Sequence, residues 1–165
     1  MDFNFLILFA SALIPLITGF VWYGPLFQKA WMKEMNFTEE SLKGGNMALI
    51  FGLSYVLGLV ISAGLMPVVV HQMGIFSTLA GEPGFNEQTG EAFSTFSSLM
   101  ETYGDRFRTF KHGALHGALT GFFIAMPILA IQAMFERKSF KYIAINAGYW
   151  IVTLAIMGGI ICQWL

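Results

Sequence analysis

The chain has 165 residues, 56% of them apolar and only 12% charged, with a mean hydropathy of +0.64. A soluble domain carries roughly 25% charged residues, so in water a fold of this size could not cover its surface with polar groups. A net charge of −1 excludes a nucleic-acid binder, which needs a basic excess to neutralise phosphates, and a single cysteine excludes a disulfide framework and a cysteine-based zinc cluster.

Four stretches free of Asp, Glu, Lys and Arg, residues 5–23, 47–70, 113–135 and 142–165, are long enough to cross a bilayer core of about 20 residues. No water reaches that core, so each stretch must satisfy its own backbone groups as a helix. The expected fold is all-α: one integral membrane domain over 1–165, a four-helix transmembrane bundle with short interfacial helices in its loops. The first stretch follows Asp2 instead of a basic segment and runs well past Ala10-Ser11-Ala12, so it reads as a retained helix and not as a cleaved signal.

Between the first two spans, Phe27, Ala30, Trp31 and Glu34 share one helical face. This predicts a short helix in the headgroup plane, with Pro25 in its first turn. Thr38 is a candidate N-cap, with Glu39 and Glu40 in the first turn, Lys43 in the last and Gly44 as stop. The long connection 72–112 has a turn at Gly81-Glu82-Pro83-Gly84. A second interfacial helix is expected where Phe93, Phe96, Met100 and Tyr103 recur at three- and four-residue steps. Asp105 and Ser139 are candidate caps for the third and fourth spans.

The short connections carry Lys29, Lys33, Lys43, Arg137, Lys138 and Lys141; the long one carries Arg106, Arg108 and Lys111. Basic residues collect on the cytoplasmic side, which gives an N-out, C-out topology. Pro15, Pro67 and Pro127 each remove a backbone donor and are expected to bend their spans.

Gly113, Gly117, Gly121 and Ala125 stand four apart on the third span and form a ridge without side chains. Ser54, Gly58 and Ser62 form a similar line on the second. Such ridges let helix backbones approach closely, either inside one bundle or between copies. Thr120, Asn146 and Tyr149, with Ser54, could line a polar path, or act as interhelical glue. His112 and His116 share a helix face, and His71 ends the second span at the same level. Imidazoles so placed could ligate a transition metal or haem, with Met66, Met73 and Cys162 as further donors suited to Cu(I). The bland alternative is three boundary histidines bonded to carbonyls, Thr120 or Tyr103.

No charged residue lies in a span, as ion coupling would require, and no hydrolase, zinc-protease, CxxC or nucleotide-binding pattern occurs. An enzyme is therefore not expected, nor a cofactor apart from an ion or haem on the histidines.

Two stretches carry a resemblance: Trp22-Tyr23-Gly24-Pro25-Leu26-Phe27 with Lys29-Ala30-Trp31-Met32-Lys33-Glu34, and His112-Gly113-Ala114-Leu115-His116-Gly117 through Phe135-Glu136-Arg137-Lys138 to Asn146-Ala147-Gly148-Tyr149-Trp150. They resemble a family of small bacterial integral membrane proteins catalogued as domain of unknown function 1761. The resemblance implies a multi-pass protein of the bacterial cytoplasmic (inner) membrane and carries no activity with it. The functional expectation is an accessory or scaffolding subunit, as a homo-oligomer or in a larger membrane complex, with the lipid bilayer as its medium. The alternatives are a small oligomeric channel or solute facilitator, and a metal- or haem-binding protein using the three histidines.

Overall fold

The computed structural model describes residues 4–42 and 44–165; the expectations placed on Asp2 and Lys43 lie outside them. All regular structure among the described residues is helical. Four helical segments are long and apolar enough to span a membrane: Leu6–Leu26, Met47–Val69, Phe110–Phe135 and Phe140–Trp164. Phe110, Lys111 and His112 extend the third beyond the charge-free stretch.

The first and third spans are interrupted, each just before a proline. In the first, α1 (Leu6–Ser11) stops and α2 (Ile14–Val21) resumes around Pro15. A proline ring clashes with the carbonyl four residues back, and the break at 12–13 removes that conflict. A wide π turn over Trp22–Leu26 contains Pro25, and a second over Gly121–Ala125 precedes Pro127. Pro25 thus sits in the π turn and not in the interfacial helix, because its ring favours the wider turn; α3 (Gln28–Met35) begins after it. Pro67 lies in the last turn of an uninterrupted α5 (Met47–Val69).

Thr38 Oγ1 accepts from Ser41 N ahead of the single-turn α4 (Glu39–Leu42). In the long connection α6 (Gln72–Leu79) and α7 (Gly90–Tyr103) enclose the turn at Gly81–Gly84. Phe93 and Phe96 of α7 pack edge-on against Phe85, with Phe76 of α6 alongside. That face of α7 is therefore partly spent on α6 and not on headgroups. The third span comprises α8 (Phe110–Thr120) and α9 (Met126–Phe135); its cap is Thr109, whose side chain accepts from His112 N. Asp105 does not cap it, because the turn that follows Tyr103 takes up four more residues first.

The fourth span, α10 (Phe140–Trp164), is the hub and the most buried of the four. Four hydrogen bonds tie it to the first span. Tyr149 O–H donates to Pro15 O (2.8 Å), the Thr18 and Thr153 hydroxyls pair (2.7 Å), Trp22 Nε1–H donates to Ile145 O (3.0 Å), and Tyr23 O–H donates to Asn146 Oδ1 (2.8 Å). Such bonds contribute about 0.6–1.7 kcal/mol each in a membrane. The tryptophan–tyrosine pair that carries half of the family resemblance is thus the docking point of the first span. Leu65, Val69, Val70, Leu154, Met157, Ile161, Cys162 and Leu165 form the apolar core. It lies at the end of the bundle where Asn4 N donates to Leu165 O.

The glycine ridge of the third span faces α10. A Cβ on Gly113 would lie 2.1 Å from Gly158 O, one on Gly117 2.0 Å from Leu154 O, and one on Gly121 2.7 Å from Ile151 Cα. Ala125 packs at the edge of the apolar core. On α5, Gly58 meets the backbone of Ala12 at the break in the first span, Ser62 is fully buried and Ser54 half-buried.

Ser139 does two jobs: its hydroxyl accepts from Tyr142 N (3.1 Å), capping α10, and bonds to Glu34 of α3. Ser139→Ala is expected to cost about 1 kcal/mol, read as a fall of about 2–4 °C in the thermal midpoint in detergent. An unchanged midpoint would remove the cap from the list of contributors.

Candidate metal centre

Two chain reversals bring the histidines together. After Val69 the backbone leaves the helix at Val70, and His71 stands as the first residue before α6. After the long connection, the Thr109 cap starts α8 so that His112 and His116 fall one turn apart on one face. His71 Nε2 and His112 Nε2 lie 2.8 Å apart. The ring centroids are 4.9 Å apart for His71–His112, 4.8 Å for His71–His116 and 4.5 Å for His112–His116. One nitrogen of each ring lies within 4.8 Å of the others. His71 is exposed, and His112 and His116 are half-buried.

The surroundings hold these rings in place. The buried amide of Gln72 donates to Gly104 O (2.8 Å), Arg106 O (3.0 Å) and Tyr103 O (3.4 Å), fastening the turn after α7 to the start of α6. In that turn Phe107 has φ +65°, a left-handed conformation that a bulky side chain rarely adopts and that costs on the order of 1–3 kcal/mol. Its carbonyl accepts from Thr109 N (2.8 Å) and from the Cys162 thiol (3.3 Å). Its ring stacks on His112, with centroids 4.9 Å apart and planes 20° from parallel. The strain thus sits directly against the histidine cluster.

A tetrahedral ion bound at roughly 2.0–2.1 Å by three imidazoles would place their nitrogens about 3.3 Å apart. The His71–His112 pair must open by about half an ångström from its present hydrogen bond, and all three nitrogens already lie within 4.8 Å of one another. Among the described residues no Asp, Glu or Cys joins the three. Met66 and Met73 pack against the apolar core, and the Cys162 thiol is directed to Phe107 O, so the sulfur donors are engaged elsewhere. A nitrogen-only set suits Zn²⁺, Co²⁺, Ni²⁺ or Cu²⁺ better than Cu(I). Thr120 donates to His116 O (2.8 Å), a bond to backbone and not to the ring.

The polar residues of the spans are dispersed. Ser54 and Tyr149 border an apolar cavity of about 760 Å³ between the first, second and fourth spans. Thr120 lines a different cavity of about 310 Å³. Asn146 bridges Tyr23 and Tyr142 O, not Thr120 or Ser54. Gln72 and Phe107 have no signal in the sequence that marks them; the His-x-x-x-His spacing does mark its two members.

Fold and cluster together define a helical membrane protein with a trihistidine group at one end of its bundle. The chain belongs to the family described as "Protein of unknown function (DUF1761)", whose model matches residues 6–162 and so spans all four helical segments. No curated protein and no solved structure matches the chain.

Proposed function

We propose that this membrane protein binds one borderline divalent transition metal ion, zinc foremost, through His71, His112 and His116. The setting we propose is a bacterial cytoplasmic membrane with the histidine end outward, supported by the six-to-three division of basic residues between its two faces. One observation carries the reading: an imidazole just beyond the second span and one at the start of the third, 41 residues apart, converge nitrogen to nitrogen. Neutral imidazoles each offer one N–H and one lone pair, and a cation gives all three lone pairs a partner at once. A haem held between two of these imidazoles is disfavoured, because centroids 4.5–4.9 Å apart leave no room for a macrocycle between the rings.

Assembly through the small-residue ridges is one route to an accessory subunit, and the longest ridge is taken up by α10 within the chain. The channel reading places Ser54, Thr120, Asn146 and Tyr149 along a path between copies; within one chain Ser54 and Tyr149 share a cavity and Thr120 lines another, so that path needs a second copy. Metal binding requires neither a second copy nor another protein.

The full chain, purified in mild detergent with its affinity tag removed and stripped by chelator, should take up one zinc per chain by elemental analysis after dialysis. Substoichiometric uptake of every divalent transition metal offered would end the proposal.

A further inference from the structure

Three protein ligands leave a tetrahedral ion one position short, and in such sites an exchangeable molecule occupies it. Resting on the metal-binding reading, we infer that this fourth position takes a small anion, held in the pocket that His71 and Arg106 line together. The pocket measures about 320 Å³ and is lined by His71, Gln72, Ile75, Tyr103, Arg106 and Phe107. It therefore touches one proposed ligand directly and adjoins a second through Phe107, whose ring covers a face of His112. Its size is at the small end for ligand cavities, which fits an anion of a few heavy atoms.

Charge supplies the chemical class. Three neutral imidazoles leave the ion's two positive charges uncompensated, and among the described residues the one charged side chain in the pocket lining is a cation. Arg106 is held by packing, with its guanidinium carbon 5.6 Å from the Tyr103 ring centroid and 5.4 Å from that of Phe107. The Gln72 amide fixes the Arg106 carbonyl, so the backbone carrying the guanidinium is anchored to the residue next to His71. A planar guanidinium in the same pocket as a metal ligand suits a carboxylate, bicarbonate or phosphate oxygen. That oxygen can come from a free anion or from a lipid headgroup.

The test uses the full chain loaded with Co²⁺, whose visible spectrum reports its coordination, and azide as the probe anion. Azide should change the cobalt spectrum saturably. Arg106→Ala should weaken azide binding by about tenfold, as loss of one favourable charge contact would, with cobalt stoichiometry unchanged, and Arg106→Lys should recover part of it. Repeating the titration in nanodiscs separates the sources. With the surface potential screened by high salt, weaker apparent azide affinity in nanodiscs than in a phosphate-free non-ionic detergent identifies the headgroup phosphate as the resident anion, and equal affinity identifies a free one; both support the site. Cobalt bound one per chain with a spectrum that azide does not alter, or an Arg106→Ala titration matching the wild type, overturns this inference and leaves metal binding intact. Failure to bind cobalt or zinc at all overturns both.

Discussion

Gly117→Ala is expected to abolish the folded bundle, although it adds a single methyl group. The new Cβ would sit 2.0 Å from Leu154 O, 2.6 Å from Leu154 C and 3.0 Å from Ala155 Cα. All three are backbone atoms of α10, so no side chain can rotate out of the way. The contact is reciprocal along its length: Gly113 meets Gly158 O, and Gly158 in turn meets Gly113 O. With lipid as solvent no hydrophobic drive pushes the helices together, and close backbone packing with Cα–H···O contacts takes its place. Overpacking a tight site costs about 1–3 kcal/mol and occasionally more. Here the two helices must separate along a ridge of several turns. Gly52→Ala is the control: its Cβ meets nothing within 4 Å, and alanine improves helix propensity by up to about 1 kcal/mol. Size-exclusion profiles and thermal midpoints in detergent should show Gly52→Ala like the wild type and Gly117→Ala aggregated or lost. A monodisperse Gly117→Ala with an unshifted midpoint would mean that the third and fourth spans do not pack as described.

What could be read from the residues follows from which forces are local. The spans were legible because charge-free runs in lipid have no alternative to helix, and the N-caps at Thr38 and Ser139 because capping is a contact between near neighbours. The glycine spacing announced a close approach without naming the partner, since a bare ridge fits any helix that presents backbone. Only the contacts assign it to α10. Asp105 was the wrong cap because a short polar side chain in a turn is ambiguous about where the next helix begins; Thr109 holds the place.

The histidine cluster was legible in part. The spacing of His112 and His116 puts them on one face, and helix lengths put His71 at their level. Whether His71 reaches them depends on the direction the chain takes at Val70, a tertiary matter. The left-handed Phe107 had no signature at all: local preference argues against it, and the Gln72 amide, the Thr109 N–H and the Cys162 thiol together impose it on the turn. Sequence rules that fail at a strained aromatic beside three imidazoles fail where function most often stores strain.

Removing a proposed metal ligand and removing its support should therefore differ in size and in kind. His71→Ala deletes an exposed side chain whose structural contacts are the other two rings, so the fold should persist while zinc affinity drops by well over 100-fold, two imidazoles being a poor site. Gln72→Leu keeps every ligand. It removes the donor serving Gly104 O and Arg106 O, and the turn that holds Phe107 against His112 loosens. Loss of supporting contacts around a metal ligand costs 10–100-fold in affinity, and that is the range expected here. Chelator competition measures both affinities. Amide exchange over 104–107 distinguishes the causes, because it should accelerate in Gln72→Leu and stay at the wild-type rate in His71→Ala. Wild-type zinc affinity in Gln72→Leu would show that the strained turn is incidental to the site, and wild-type affinity in His71→Ala would show that the site does not depend on the second span.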